Sequence, residues 1–306
     1  MGCFFVGDFM QWFGVDTSRY QKDFNFKQAV AEGVQFAIIK AGGGDDKNVG
    51  LYKDSQFENS YKKCKELGLP VGAYFFGAAT TKERAKEEAD YFLSLLKGKQ
   101  FDMPVYYDVE GKMLKLEKTL LTDIALVFLE RVESAGYFTG IYGNPYSYNS
   151  RFDDKRLMHF CHWVAYYSAT APKLNSGMSV GIWQYGGEIN KIRSNQIAGI
   201  TCDQDYCYVD YPAAIKELGL NGYSKPEPTP EPTPVNAVEP KMGYGDFNDR
   251  VRELQESLKS MGYEVGTDGL YDERTRQAMK KWQKSVGLEE TGEYGVLEYQ
   301  KMVAAS

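Results

Sequence analysis

Met103-Pro104-Val105-Tyr106-Tyr107-Asp108-Val109-Glu110-Gly111 is the stretch on which the reading of this chain turns. Val and Tyr in succession, closed by Pro on one side and Gly on the other, predict a buried strand, and successive side chains of a strand point to opposite faces. Asp108 and Glu110 therefore share a face, with their Cα atoms roughly 6.5 Å apart. Two carboxyl groups at the C-terminal end of a buried strand are costly unless they are used. In so tight a pair one group is pushed towards holding its proton while the other stays ionised, the division of labour that cleavage of a glycosidic bond requires. An isolated Asp-x-Glu more often caps a turn or helix, so the surroundings of the pair have to decide.

Those surroundings belong to a chain of 306 residues, long enough for a large domain with a small one beside it. A hydrophobic fraction of 43%, with no apolar run near the length of a bilayer span, predicts a globular protein without a membrane anchor. The first residues carry Asp8 and no Lys or Arg ahead of their short apolar run, so they lack the charged start of a secretory signal. A net charge of -6 argues against nucleic acid or an anionic membrane as partner, because both demand a basic face. The aromatic fraction of 14% offers flat faces that can pack against sugar rings. Five scattered cysteines, Cys3, Cys64, Cys161, Cys202 and Cys207, read as reduced and mostly buried; a Cys202–Cys207 bridge is the lesser alternative. The two histidines, His159 and His162, are too few for a zinc site or for a His-activated nucleophile, and read as structural.

From Phe13 to about Tyr211, strand-like runs alternate with amphipathic helical stretches. Strands are expected at Phe13–Asp16, Phe36–Ala41, Val71–Phe76, Val105–Glu110, Phe138–Tyr142, His162–Tyr167, Val180–Tyr185 and Tyr206–Val209. Helices are expected at Phe26–Glu32, at Phe57–Leu67, from a Thr80 cap to Leu96, and at Thr122–Ala135, thinning out after the fifth strand. About eight strands alternating with helices predict an α/β fold closed into a parallel barrel, with functional side chains at the strands' C-terminal ends. Asp16, Asp108, Glu110 and Asp203 all fall at or next to such ends, and in a closed barrel they can face one cavity.

In chain order, Gly14-Val15-Asp16-Thr17-Ser18-Arg19-Tyr20-Gln21, Gly72-Ala73-Tyr74-Phe75-Phe76, Tyr107-Asp108-Val109-Glu110, Trp163-Val164-Ala165, Trp183-Gln184-Tyr185 and Cys202-Asp203-Gln204-Asp205 resemble the lysozymes of glycoside hydrolase family 25. The resemblance covers about residues 12–215. It implies a modified, TIM-like eight-stranded barrel with about five helices, cleaving the β-1,4 bond between N-acetylmuramic acid and N-acetylglucosamine in bacterial peptidoglycan without metal or cofactor. By that resemblance Glu110 is the general acid. Asp108 stabilises the developing positive charge or orients the substrate's 2-acetamido group, and Asp16 and Asp203 line the cleft, with Asp203 preferred over Asp205 for the last place. Tyr74, Trp163, Tyr166 and Trp183 are the candidates for a sugar-contacting wall, each with core packing as its alternative. The carboxylates alone are equally compatible with a glucosaminidase or chitinase-like hydrolase, and a non-catalytic carbohydrate-binding barrel is the rival of another class. One departure from the family stands out: after Lys40 the chain reads Ala41-Gly42-Gly43-Gly44-Asp45-Asp46, expected to be a reshaped loop that leaves the wall open. The Gly-Lys-Ser/Thr ending of a phosphate loop is missing there.

A Pro-rich run, Lys225-Pro226-Glu227-Pro228-Thr229-Pro230-Glu231-Pro232-Thr233-Pro234, predicts an extended spacer of about 3.1 Å per residue. Beyond it, Val251, Leu254, Leu258 and Met261 fall at helical spacing; Thr275, Ala278, Met279 and Trp282 mark a second helix, and Tyr294 to Met302 a third. With Asp246-Phe247, Gly262-Tyr263, Asp268-Gly269-x-Tyr271 and Gly287-Leu288-x-x-Thr291-Gly292 this resembles the three-helix peptidoglycan-binding domain, a helical dimerisation module being the alternative. The expected layout is an N-terminal extension over 1–12, a catalytic barrel over 13–222, a linker over 223–242 and the small all-α domain over 243–306. Without an apparent signal peptide, such a chain looks like a bacteriophage endolysin, held in the host cytoplasm until lysis and then acting on peptidoglycan as its partner.

Overall fold

The computed structural model describes residues 11–44, 50–168, 170–175, 178–186, 196–225 and 241–303. Residues 1–10, most of the Pro-rich run, and Asp45 and Asp46 lie outside them. Contacts divide the chain into two units, Met1–Glu227 and Pro228–Ser306.

The strands of the first unit are β1 (Trp12–Thr17), β2 (Phe36–Gly44), β3 (Leu51–Lys53), β4 (Val71–Phe76), β5 (Val105–Asp108), β6 (Thr139–Gly143), β7 (Cys161–Ala165), β8 (Ile182–Gln184), β9 (Gln196–Ile197), β10 (Ile200–Thr201) and β11 (Asp203–Cys207). Eight of them, in the order β1-β11-β8-β7-β6-β5-β4-β2, close through a β1–β2 pairing into a barrel. Seven run parallel, but β11 is antiparallel to both β1 and β8, which corrects the expected all-parallel barrel. The cause is the connection: no crossover helix lies between β8 and β11 among the described residues, only the β9–β10 ribbon, and without a crossover the chain returns antiparallel. β11 consequently presents its N-terminal end at the mouth where its neighbours end.

Among the described residues, five helices accompany the barrel: α1 (Phe26–Ala31), α2 (Phe57–Glu66), α3 (Lys82–Leu96), α4 (Lys118–Ser134) and α5 (Tyr211–Leu218). Thr81, one residue later than expected, caps α3 by accepting the Arg84 N–H at 3.2 Å. The helix α4 begins four residues earlier than the apolar pattern suggested, because the Glu117 side chain accepts the Thr119 N–H and so starts the helix among polar residues. Between β6 and β7 only a π-helical turn at Ser147–Arg151 and a 3-10 turn at Asp154–Arg156 intervene.

Strand alternation separates two apolar layers. Phe36, Ile38, Tyr106, Trp163 and Ile182 fill the barrel interior, while Val15, Ile39, Phe75, Tyr107 and Val109 pack outward with Phe92 of α3 and Phe128 of α4. Tyr107 lies on Phe128 with ring centroids 3.8 Å apart and an 11° tilt, a stack worth about 0.5–1.5 kcal/mol beyond its buried area. Both layers lock β5 in register, and with it the position of Asp108. The four described cysteines are buried thiols outside any disulfide among the described residues. His162 is buried with its two ring nitrogens 3.0 and 3.1 Å from the carbonyl oxygens of Ser179 and Leu157.

The second unit carries α6 (Asp249–Ser260), α7 (Glu273–Ser285) and α8 (Val296–Val303), the first two capped by Asn248 and Asp272. Val251, Leu254, Leu258, Tyr271, Met279, Trp282 and Met302 form its core. A single device appears twice. The buried amide of Gln255 accepts the Gly269 N–H at 2.8 Å and donates to the Leu270 carbonyl; that of Gln283 accepts the Gly292 N–H at 2.8 Å and donates to the Glu293 carbonyl. Both glycines have positive φ, 81° and 70°, so each turn needs glycine and each is pinned to a helix from within. Among the described residues no helix of either unit is long and apolar enough to cross a membrane.

Candidate active site

The strand β5 ends at Asp108, two residues before Glu110, although the ladder continues through the Val109 N–H to the Tyr142 carbonyl at 3.2 Å. Val109 packs outward, Asp108 is buried, and Glu110 is half-buried and close enough for its charge to raise Asp108. The alternation read from the sequence thus survives past the formal strand end. Asp16, near the end of β1, sits opposite Asp203 in the antiparallel register, while Gly14 sits opposite Asp205. Asp203 and Asp205, two apart on β11, both point inward. Asp203 is half-buried at the rim, and Asp205 is fully buried beneath it, accepting the Trp163 indole N–H at 2.8 Å. Two acids of one strand therefore occupy the region for which the sequence offered them as alternatives.

These five carboxyls act on one another. Burial raises all of them above their usual range. For Asp16 the neighbouring Asp205 and Asp203 add to that rise, and for Asp108 the Glu110 charge does. Lys40 opposes it at both Asp108 and Glu110. One Asp108 oxygen, Oδ1, is buried without a hydrogen-bond partner among the described residues, as is Oδ2 of Asp205. Such an orphan costs about 1–3 kcal/mol until something donates to it.

A hydrogen-bond relay ties the acids together. Gln184 Nε2 donates to Asp16 at 2.7 Å; the Tyr142 hydroxyl donates to Gln184 Oε1 at 2.8 Å and also reaches Glu110, whose carboxyl it helps to hold down. The Tyr167 hydroxyl lies 3.3 Å from Gln184 Oε1 and 3.4 Å from Asp203. Of the expected aromatic wall, Tyr74 is half-buried beside Lys40, and Tyr166 is 41% exposed beyond β7. Trp163 is buried in the barrel interior, edge-on to Tyr142 at 4.5 Å, and forms a floor rather than a wall. Trp183 does not reach the cleft. It faces the outer layer against Tyr185 and Tyr206, because on β8 the inward positions are Ile182 and Gln184. Period two along Ile182-Trp183-Gln184 carries that signal, and aromatic content drew the sequence reading to the wrong member. Tyr142, Tyr167, Gln184 and Lys40 are absent from the candidates read from the sequence; Tyr142 and Tyr167, each last on its expected strand, carry a positional signal.

The glycine run is not a loop. Gly42, Gly43 and Gly44 continue β2, pairing with β3 at Lys53, Tyr52 and Leu51 after a bulge between Lys40 and Gly42. A Cβ on Gly42 would stand 2.2 Å from the Tyr52 carbonyl oxygen, and one on Gly43 would stand 2.8 Å from the Tyr52 hydroxyl. The missing side chains admit the β3 hairpin and Tyr52, so this wall is covered where an open one was expected.

Raised carboxyls make stability depend on pH with a definite sign. A carboxyl whose folded pKa exceeds its unfolded value contributes fully below the unfolded value, and the contribution is lost as pH climbs through the folded one. Asp16, Asp108, Asp203, Asp205 and Glu110 all have this sign, as does Glu88, pushed up to about 7 by burial on the inner face of α3. Asp102 has the opposite sign: despite its burial, Tyr223 and Lys65 hold it low, so its contribution is lost on acidification. The barrel is expected to be most stable at mildly acid pH. Asp205→Asn, which removes one buried charge but keeps an acceptor for Trp163, should raise Tm at pH 8 by about 3 °C or more. That gain should vanish near pH 4, as scanning calorimetry at the two pH values would register; an equal gain at both would exclude titration as its cause.

Carboxyl groups gathered at a barrel mouth, two of them adjacent, with a cation and tyrosine hydroxyls beside them, define the site of a barrel hydrolase that works by proton transfer and charge stabilisation. Among the described residues no His, Cys, Asp or Glu cluster could hold a metal ion. The chain belongs to the glycosyl hydrolases family 25, whose model matches residues 15–192, more than half of its length. Residues 248–302 match the model described as "Putative peptidoglycan binding domain". Lysozyme M1 of Streptomyces globisporus is 26% identical over 209 residues, 63% of this chain and 65% of that protein, so the chain spans somewhat less than two thirds of this relative. Among solved structures, the CTP1L endolysin, described as regulated by a secondary translation product, matches with a TM-score of 0.57 at 23% identity, covering 67% of this chain and 69% of that one. The bacterial lysozyme from Streptomyces coelicolor matches with a TM-score of 0.56 at 22% identity, covering 71% of this chain and all of that one. At these identities the two structures speak for the fold.

Proposed function

We propose that the chain is a peptidoglycan-lytic N-acetylmuramidase of the endolysin or autolysin kind, its barrel cutting glycan strands and its C-terminal helical unit holding the enzyme on the wall. The observation that carries the reading is the adjacency of Asp108 and Glu110 within a cluster of buried, mutually repelling acids. Glu110, the half-buried member of the pair, keeps a proton by burial and delivers it to the glycosidic oxygen. Asp108 faces the anomeric centre, and its unpartnered Oδ1 suits the N–H of a 2-acetamido group, which would be oriented for attack on the anomeric carbon. Asp16 and Asp203 line the cleft, held by Gln184 and Tyr167 respectively. Tyr74 and Tyr166 are the sugar-contacting aromatics. This chemistry uses side chains alone.

Membership of the family and the likeness to a lysozyme support the choice of bond, and the wall-binding match supports peptidoglycan as the partner. A second module on the same chain raises the local concentration of the enzyme at an insoluble substrate. In an endolysin the protein would wait in the host cytoplasm and meet the wall at lysis. Digested walls should expose new reducing ends on N-acetylmuramic acid, recovered as muramicitol after borohydride reduction and acid hydrolysis. Glucosaminitol in its place would make the enzyme a glucosaminidase, with the barrel and its acids unchanged.

A further inference from the structure

The β2 glycines have a purpose that the acid cluster does not explain. They seat Tyr52 at one side of the mouth, and Tyr52 stands between two cations: the Arg19 guanidinium carbon is 5.2 Å from its ring centroid and Lys40 Nζ 5.9 Å. Arg19 also lies 5.3 Å from the Tyr20 ring, which is 76% exposed. This arrangement is built rather than incidental. The carboxylate of Asp54, 1% exposed and just past β3, accepts the Arg19 backbone N–H at 3.0 Å, while the Asp54 N–H donates to the Ala41 carbonyl at 2.9 Å. The segment bearing Arg19 and the hairpin bearing Tyr52 are thereby joined through one buried acid. Lys40 is close enough to Asp108 and Glu110 to pull both down, so it serves the acidic floor. Arg19 lies out at the rim, exposed; its Nη2 donates to the Tyr20 hydroxyl at 3.4 Å, and among the described residues no carboxylate forms an ion pair with it.

A cleft floored with five acids repels an anionic substrate, and a muramoyl residue bears a peptide stem with free carboxylates. We propose that Arg19, held over the Tyr52 ring at the rim, binds a stem carboxylate and so makes the enzyme prefer stems that carry that charge. A guanidinium is suited to this, because it presents paired donors to a carboxylate while its face stays on an aromatic ring. The inference rests on the muramidase reading and adds to it a specificity determinant outside the acid cluster.

The test uses the full-length protein and soluble glycan–peptide fragments prepared in two forms, one with free stem carboxylates and one with the same carboxylates converted to amides. Because Arg19 is exposed, the wild-type protein should favour the free-acid form in kcat/KM by about fivefold, the scale of an exposed ion pair. Arg19→Gln should bring that ratio to about one. The wall-binding unit is identical in the two proteins, so a preference that persists in Arg19→Gln places recognition elsewhere and overturns the proposal. Equal rates on both forms by the wild-type protein overturn it as well. Failure of the underlying reading would show separately, as new reducing ends on glucosamine whatever the stem ratio.

Discussion

Glu110→Gln is expected to lose at least about 10³-fold in the rate of wall lysis, the upper range for removal of a general acid. The amide that replaces the carboxyl would keep the shape of the side chain and its contact with Tyr142, but it has no acidic proton to give. Burial raises the Glu110 carboxyl, Lys40 and Tyr142 hold it down, and Asp203 pushes it up again, so the native group is balanced between holding and releasing its proton. The loss should appear in kcat with little change in KM, and the variant should still be retained on walls in a pull-down, since residues 248–302 belong to a separate unit. A residual rate above about a tenth of the native one would remove Glu110 from the acid's role. A variant that neither cuts nor stays on the wall would disconnect the helical unit from peptidoglycan.

Asp108→Asn should cost about 10²–10³-fold in kcat, the scale of losing one preorganised electrostatic group at a reacting centre. Unlike most buried substitutions it should not lower Tm at pH 7. Asp108 is 5% exposed, its pKa is raised by burial and by Glu110, and its Oδ1 lacks a partner, so the free enzyme already bears the strain of a charge at this position. A neutral amide relieves that strain, and activity and stability should therefore move in opposite directions. Calorimetry beside a turbidity assay would read both; a loss of Tm equal to that of a cavity-forming core variant would mean that Asp108 serves packing, and undiminished turnover would move its catalytic role to another acid.

Much of this is legible in the sequence alone. Pro104, Val105 to Tyr107 and Gly111 marked β5, and alternation put Asp108 and Glu110 together even though the strand formally ends between them. Spacing at 3.6 residues locates α1 to α4 and the three helices of the second unit, because their buried faces are mainly apolar stripes that local sequence has to encode, interrupted by single polar residues such as Glu88, Gln255 and Gln283. What eluded the sequence was set by partners distant along the chain. The sequence places β11 late, at Tyr206–Val209, since two of its three inward residues are Asp203 and Asp205 and the apolar alternation starts only at its end. Its antiparallel sense follows from a connection without a crossover helix, and its register opposite β1 brings both acids to Asp16. The strand β3 is three residues long and acquires its meaning only against the glycines of β2, which read locally as a loop. Gln184 enters the site and Trp183 leaves it through one step of alternation, whose inward direction only the closed barrel defines. A sequence specifies which residues can share a face, whereas the sign of that face and the charges opposing it depend on closure, because each carboxyl's pKa is set by burial and by neighbours that other strands supply.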